Sequence, residues 1–512
     1  MSIVLVGLPG AGKTTVGRLL AQKLGTSFAD SDEEVVKTSG TSINEIFANS
    51  GEMAFRHMEA SAISRAFAED VGVLSVGGGA LTTAKVRHQL AGKTVVFLDI
   101  SPELAYERVG GDRGRPLLQR GGLEKMRQLA AARRPHYLES ATFTVQVAAQ
   151  GAEELVAQIC AHLPTAMVVE GPKPYQVLIG TKLNAFLPTA IGRQVRKVLI
   201  IHPPTLRAVA LEIRHVCQTD AEVFTFETPD GEAQKTIEIL QQIWRQLGQE
   251  RFSRTDLIVG LGGGATTDLA GFAAATWLRG IAWLALPTTL LAMVDAAIGG
   301  KTAINSEFGK NLIGSFYPPR KVIADTAHLT TLPQAEITAG IAEAAKCGFV
   351  ADPQILSLLE AADWEKHLRQ VIEASARVKV GIVSADLEEK GVREILNYGH
   401  TLAHALEKES NYHMRHGHAV AVGMVFAAHV ANDLGLIGAA NLQRHYRLLT
   451  HLGLPTTAHG KWQNLFHHMQ VDKKNREGKI RMVLLQGIGD TTVQVVPEDV
   501  LARSAGKVGL TV

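Results

Sequence analysis

The chain has 512 residues, room for about three folding units at roughly 150 residues each and too many for one ordinary core. Hydrophobic residues make up 46%, charged residues 20%, and Gly contributes 49 positions, which excludes a disordered or fibrous protein and points to a globular one rich in tight turns. Lys plus Arg total 52 against 50 Asp plus Glu, so no global field exists to hold nucleic acid or an anionic membrane, and any basic site is local.

The opening Met1-Ser-Ile-Val-Leu-Val has no basic flank and no small-residue cleavage site, and reads as a buried strand. No later stretch approaches the ~20 apolar residues that span a bilayer; the apolar run Gly271 to Leu278 stops at Arg279. Cys160, Cys217 and Cys347 are odd in number and far apart, which suits a reducing compartment, and a cytoplasmic location is expected.

Up to about residue 165, β-branched runs at Ile3 to Val6, Val73 to Val76 and Val95 to Leu98 alternate with helical patterns such as Thr15 to Leu24. The pattern predicts a parallel α/β domain. Gly7-Leu-Pro-Gly-Ala-Gly-Lys-Thr14 fits G-x-x-x-x-G-K-[ST] between a strand and a helix. Its glycines let backbone N–H groups face phosphate oxygens, Lys13 reaches the β and γ phosphates, and the Thr14 hydroxyl can ligate Mg²⁺. Asp30-Ser31-Asp32, Arg56, Gly77-Gly78-Gly79, the loop Gly110 to Leu118 with Arg115, and Arg133 follow. Singly, each has a plain structural reading as a solvated turn, a surface ion pair or a strand-to-helix turn. If the chain is extended at Asp30 and Asp32, both carboxylates project to one side, toward a metal-bound water and an acceptor hydroxyl.

Together, in order and spacing, these pieces resemble shikimate kinase over essentially the first 160 residues. The resemblance implies a P-loop kinase domain over 1–165. Gly10, Ala11, Gly12, Lys13, Thr14 and Thr15 would bind ATP, and Thr14, with Asp30 through water, would serve Mg²⁺. Asp32, Arg56, Gly78 and Arg133 would bind shikimate, with Asp32 also taking or orienting the proton of the attacking 3-hydroxyl. Arg115 would be the lid arginine at the phosphates, catalytic alongside Lys13 and Asp32.

Periodicity lapses from Leu163 to Pro174, read as a linker, and a second α/β domain is expected over 175–335, with its clearest strands at Lys197 to Ile201, Asp256 to Gly260 and Ile281 to Leu286. Gly260 to Ala265 places a glycine turn between strand and helix, the geometry that seats a pyrophosphate, although the next strand lacks the acidic residue a Rossmann ribose contact needs. Over 336–512 a mostly helical domain is expected, with few β runs before Met482 to Leu485. It carries Glu343, His400, His404 and His416-Gly-His418. A His₂Glu set with an open position is a catalytic zinc arrangement. However, 19 His in the chain yield ~0.7 i,i+4 pairs by chance, so spacing alone does not identify zinc.

The surrounding runs are more specific: Asp268 to Gly280, Pro287-Thr-Thr to Asp295, Gly299-Gly-Lys-Thr302, Gly309-Lys-Asn311, Arg393 to His400 and Asp472-Lys-Lys474. From about Tyr175 to Leu485 the chain closely resembles 3-dehydroquinate synthase. The resemblance implies Glu343, His400 and His416 as ligands of Zn²⁺ or Co²⁺. It gives NAD the segment Asp230, Gly231, Glu232, Ala233, Gln234 and Lys235, the turn Gly264, Ala265, Thr266, Thr267 and Asp268, then Thr288, Thr289, Lys301, Lys310 and His328, Leu329, Thr330 and Thr331. Arg279, Asp295, Lys301, Asn311, Lys346, Lys379, Arg393, Asn397 and His404 would hold the substrate, 3-deoxy-D-arabino-heptulosonate 7-phosphate, with Asp295, Lys301, Lys346, Lys379 and His404 catalytic. In that family NAD oxidises the C5 alcohol, phosphate is eliminated, the hydride returns and an aldol closure gives 3-dehydroquinate, so the net reaction is a lyase.

The chain departs from the family at Thr267, where the turn commonly has Gly, and at His418, where Glu is usual and where a carboxylate behind the metal ligands would be lost. His416 is favoured over His413 or His418 as the third ligand by the Gly417 and Ala419-Val420 that follow it. The expected protein is a fused enzyme acting on small molecules, with no nucleic-acid or membrane partner and with homodimerisation through the synthase part, Arg279 reaching toward a neighbouring site. Two alternatives stand beside it: a metal-dependent polyol dehydrogenase in the second half, and a kinase half that only senses nucleotide.

Overall fold

Residues 2–90, 93–109, 122–192, 194–217, 221–471 and 479–512 are described by a computed structural model of the chain. They form two units: Met1–Leu163 with Asn184–Gly192, and Pro164–Leu183 with Arg193–Val512.

The first unit is built on five short strands, β1 (Ile3–Val6), β2 (Phe28–Asp30), β3 (Val73–Ser75), β4 (Thr94–Ile100) and β5 (Phe143–Val147), in the order β2-β3-β1-β4-β5. All neighbours are parallel. β1 and β3 are buried at every residue, as strands covered by helices on both faces must be, which is why they read as continuous apolar runs. The phosphate loop follows β1, Asp30 ends β2 with Asp32 just beyond it, and the glycine triplet follows β3. Three motifs distant in sequence thus gather at the carboxyl ends of adjacent parallel strands, where open α/β sheets bind ligands.

The second unit holds a seven-stranded sheet of β6 (Thr165–Val169), β7 (Tyr175–Gly180), β8 (Lys197–His202), β9 (Glu222–Glu227), β10 (Leu257–Gly262), β11 (Ala282–Pro287) and β14 (Lys321–Asp325), in the order β6-β7-β14-β11-β10-β8-β9. β6 is antiparallel to β7 and every other pair is parallel. Between β11 and β14 lies the antiparallel hairpin β12 (Lys301–Ser306) and β13 (Gly309–Phe316). The rest is helical except for a second hairpin, β15 (Arg481–Gly487) and β16 (Asp490–Val495).

The α/β and helical architecture is as the sequence implies, with local corrections. The stretch expected as a linker carries β6: Met167 and Val169 point inward while Ala166 and Val168 face out, a period-two strand whose flanking Pro and Gly gave it the look of a loop. The β12–β13 hairpin went unforeseen because its Lys, Asn and Gly content is poor in strand formers; pairing and position decide there, not propensity.

Two helices form the centre of the helical part. Gln334–Val350 is buried throughout Ala339 to Val350, and His416–Asp433 throughout Ala419 to Ala431. The second meets its neighbours backbone to backbone: a Cβ at Gly417 would lie 1.8 Å from the Ala339 carbonyl oxygen of the first, and one at Gly423 would lie 1.9 Å from that of Gly399, just before the helix His400–Glu409. Only Gly fits at either place, and these two contacts bring the helices bearing Glu343, His400 and His416 together. No helix among the described residues is long and apolar enough to cross a membrane.

Candidate active sites

In the first unit the phosphate loop turns through left-handed Gly10 and Gly12 into the helix Lys13–Leu24. Lys13 Nζ donates to the Gly7 and Leu8 carbonyls at 2.9 and 3.1 Å, so its cation sits over the loop itself. Thr14 Oγ1 donates to Asp30 Oδ2 at 2.8 Å, placing a hydroxyl and a carboxylate side by side at the start of that helix, an oxygen donor pair that suits Mg²⁺. The condition under which Asp30 and Asp32 would project to one side, an extended chain through both, is not met, because the helix begins at Ser31. Asp30 ends β2 and caps the helix Ser31–Ser39, its Oδ1 accepting from Asp32 N at 3.0 Å, because an Asp before Ser-Asp-Glu-Glu is a strong helix start.

Asp32 nevertheless lies against the glycine triplet. A Cβ on Gly77 would meet Glu59 Oε1 at 2.2 Å and Asp32 Oδ1 at 2.7 Å, and one on Gly79 would meet Arg56 Nη2 at 2.0 Å, so the glycine triplet lies directly against these side chains. Arg56 is no surface residue: its Nη1 donates to Glu59 Oε2 at 2.7 Å and its Nη2 to Glu52 Oε1 at 3.1 Å. Glu59 is fully buried, and burial pushes its carboxyl up to about 7 against the pull of Arg56. Arg133 is buried on the helix Gly122–Ser140, and one turn later the Tyr137 hydroxyl donates to the Gly78 carbonyl. The structure thus brings Asp32, Arg56, Gly78 and Arg133 to one pocket and adds Glu59, while Arg115 lies outside the described residues.

In the second unit four segments assigned to the dinucleotide follow the carboxyl ends of parallel strands, Asp230–Lys235 after β9, Gly264–Asp268 after β10, Thr288 and Thr289 after β11, and His328–Thr331 after β14, while Lys301 and Lys310 lie on the antiparallel β12–β13 hairpin. Gly264 opens a 13-residue helix, whose N-terminal amides suit a pyrophosphate. Thr267 is buried with its hydroxyl folded onto the Gly264 carbonyl at 3.0 Å, so this departure is absorbed within its own helix turn. Lys235 joins the neighbouring segments: Nζ lies 2.7 Å from Asp268 Oδ2 and also donates to Asn311.

The ligating atoms of Glu343, His400 and His416 lie within 4.8 Å of one another. Glu343 Oε1 is buried without a hydrogen bond of normal geometry, and faces His416 Nε2 at 3.3 Å and His400 Nε2 at 3.6 Å. The outer nitrogens are held from behind: His400 Nδ1 pairs with the Tyr398 carbonyl at 3.2 Å and His416 Nδ1 with Glu407 Oε2 at 3.1 Å. Two imidazoles aiming Nε2 inward at one buried carboxylate oxygen fit a tetrahedral divalent cation with one open position. Burial would raise the Glu343 carboxyl, but Lys346 and His416 override it and hold it down at about 2.

Beside this triad, Lys346 contacts Glu343 and Lys379 contacts Asp295. Despite burial, Lys379 and Lys346 keep the Asp295 carboxyl at about 2. Lys301 pairs with Glu389, to which Asn397 Nδ2 also donates at 2.8 Å, while Arg393 is buried with Nη1 donating to the Gly299 carbonyl at 3.1 Å. His404 stands edge-on to His400 with ring centroids 5.4 Å apart. Arg279 is exposed after the helix Gly264–Thr276 and joins none of these pairs; Asp472 to Lys474 lie outside the described residues.

Three carboxylates escaped the sequence reading: Glu59, Glu389 and Glu407. Glu59 stands three residues after Arg56, and Glu407 seven after His400, helix spacings that place each on its partner's face. Glu389 carried no such signal. Glu407 also answers the departure at His418: that side chain is half-buried beside Arg415, and the carboxylate behind His416 comes from the preceding helix.

These features define a P-loop phosphotransferase unit followed by an enzyme unit with a nucleotide turn, a divalent-metal triad and a cation-rich pocket. Family models for shikimate kinase, for the 3-dehydroquinate synthase N-terminal region and for its C-terminal region match residues 9–164, 225–339 and 340–475. The 3-dehydroquinate synthase of Streptomyces avermitilis is 47% identical over 348 residues, covering 66% of this chain and 96% of that protein. A 2-deoxy-scyllo-inosose synthase solved with carbaglucose-6-phosphate, NAD⁺ and Co²⁺ is 27% identical, with a TM-score of 0.62 over 67% of this chain and all (100%) of that one. The shikimate kinase of Acinetobacter baumannii, solved with shikimate, is 40% identical with a TM-score of 0.30, covering 31% of this chain and 90% of that one. The chain belongs to the 3-dehydroquinate synthase family and carries a shikimate kinase ahead of the synthase: it is a bifunctional shikimate-pathway enzyme. The polyol dehydrogenase alternative is not favoured, and the presence of both enzyme families sets aside a purely sensing kinase half.

Proposed function

We propose that the first unit transfers phosphate from MgATP to the shikimate 3-hydroxyl. Mg²⁺ would be held by Thr14 and, through water, Asp30, where it would draw charge from the phosphates. Gly10 to Thr15 bind the phosphates through backbone amides and Lys13, and Arg115 covers them. Arg56 and Arg133 bind the shikimate carboxylate, Gly78 lets the ring approach the backbone, and Asp32 accepts the hydroxyl proton. The single supporting observation is the juxtaposition of Asp32, Arg56 and Gly77 to Gly79. Asp32→Asn should abolish phosphorylation of shikimate while leaving ATP binding intact; unchanged turnover would refute the assignment.

For the second unit, the reading is a catalytic-NAD synthase with Zn²⁺ or Co²⁺ on Glu343, His400 and His416, supported by the convergence of those three ligands. The metal supplies Lewis acidity at the substrate's hydroxyl and NAD a reversible hydride acceptor. Lys301, Lys346, Lys379, Arg393, Arg279, Asn311 and Asn397 hold phosphate, carboxylate and hydroxyls, and Asp295 and His404 hold or move protons beside them. The NAD cradle is Asp230 to Lys235, Gly264 to Asp268, Thr288, Thr289, Lys301, Lys310 and His328 to Thr331. The proposed domains are 1–165 for the kinase, and 175–335 and 336–512 as two parts of the second unit, whose sheet also takes β6 from the stretch before residue 175.

We further propose a cytoplasmic homodimer joined through the synthase part, where Leu312, Ile313 and Phe316 of β13 are exposed; light scattering tests its mass. The decisive assay is phosphate release from 3-deoxy-D-arabino-heptulosonate 7-phosphate with catalytic NAD, before and after metal stripping and zinc restoration. Zinc-dependent release without net NADH is expected; net NADH, or no release from folded metal-loaded protein, overturns the reading.

A further inference from the structure

Glu407 belongs to no motif that marks either site, yet it lies between two residues that do. On the helix His400–Glu409 it follows His400 by seven residues and His404 by three, so all three share a face. Its Oε2 is 3.1 Å from His416 Nδ1, on the side of the ring opposite Glu343, and its Oε1 is 3.6 Å from Lys310 Nζ on the β12–β13 hairpin. The chain beyond the helix is folded back to build this arrangement: the Glu407 carbonyl accepts from Tyr412 N at 2.7 Å and from Ser410 Oγ at 2.9 Å, and both Asn411 and Tyr412 are left-handed (φ 49° and 63°). Left-handed non-glycine residues persist only where surrounding contacts demand them. Here they set the Tyr412 ring 4.1 Å from Lys310 Nζ, which leaves that cation between an aromatic face and the second Glu407 oxygen.

A cation bound at His416 Nε2 requires the proton on Nδ1, and that N–H then holds one oxygen of Glu407 in place. The carboxylate is thereby fixed in the orientation that presents its other oxygen to Lys310. We propose that Glu407 is a positioning residue that ties metal capture by His416 to the placement of Lys310, so that metal and dinucleotide bind cooperatively. This rests on the metal and nucleotide assignments above.

Zinc affinity by chelator competition and NAD affinity by calorimetry, on the full chain, test it. In the natural protein zinc should tighten NAD at least about fivefold, and NAD should tighten zinc by the same factor, since coupling between sites is reciprocal. Glu407→Gln should weaken zinc ~10–100-fold and bring the zinc effect on NAD close to unity. Lys310→Met, which leaves every metal ligand and Glu407 in place, should keep zinc affinity while losing the coupling; it also keeps the proposal testable if Glu407→Gln fails to fold. Zinc that binds the natural protein stoichiometrically without altering NAD affinity, or an undiminished zinc effect on NAD in Lys310→Met, overturns the coupling and leaves the metal site standing. Zinc binding that survives replacement of His400 and Glu343 together overturns both.

Discussion

Lys346 offers a sharp test of how the second site is held together. It lies three residues after Glu343 on the helix Gln334–Val350, both are fully buried, and they are in contact. Lys346→Met keeps the side-chain length but leaves His416 as the main cation facing the Glu343 carboxylate, and removing one partner of a buried pair costs up to ~3–5 kcal/mol. Asp295 does not add fully to that loss, because Lys379 still faces it. Glu343→Gln should cost a comparable amount by removing the nearest counter-charge of the ammonium, whereas the double variant, which removes both members of the contact, should be no less stable than either single one. The assay is urea unfolding of the metal-stripped protein followed by Trp fluorescence. All five Trp residues lie between Trp244 and Trp462, so this signal follows the second unit alone. A Lys346→Met variant within about 1 kcal/mol of the parent, or single-variant losses that simply add in the double variant, would refute a mutually dependent pair.

Glu59 is raised from 4.5 to about 7, so the unfolded chain releases this proton first, and the stability it contributes at low pH is lost as pH rises through 7, by up to ~3 kcal/mol; hydrogen exchange across residues 43–68 should show this loss, and Glu59→Gln should flatten it. Although its side chain is about half exposed, desolvation among its neighbours, helped by Arg393, lowers Lys301 to about 8 while Glu389 opposes the fall. Lys301 is therefore cationic below that pH, synthase kcat/KM should drop above pH 8, and Glu389→Gln should move the inflection lower. Gly10→Ala places a Cβ 2.6 Å from the Ala105 carbonyl oxygen at a φ of 86°; kinase kcat/KM should fall about 100-fold with synthase turnover unchanged.

The motifs of each candidate site were legible because their chemistry constrains local sequence. A phosphate loop needs its glycines, lysine and hydroxyl within eight consecutive residues, Gly7 to Thr14, and β1 and the following helix frame it in the structure as in the sequence. At Asp30 and Asp32 cap formation prevails over extension, and the two carboxylates face different neighbours, Thr14 and the glycine triplet. The β12–β13 hairpin, which carries Lys301, Lys310 and Asn311, was illegible as structure because its cations and glycines disguise strands that pairing alone stabilises.

The three unforeseen carboxylates share one property: each faces a cation assigned to a ligand, Glu59 with Arg56, Glu389 with Lys301 and Glu407 with Lys310. A pocket assembled from cations alone repels itself, and at least some of those charges need a counter-charge before substrate arrives. The acids that balance a motif's cations are thus a derivable class. Helix spacing from a known site residue finds Glu59 and Glu407, because both lie on the same helix as Arg56 and His400. It does not find Glu389, whose partner Lys301 is 88 residues away and whose own backbone is left-handed (φ 58°). That contact is set by tertiary structure, and a Glu held in that conformation at the edge of a cation cluster is recognisable only once the fold has placed it there.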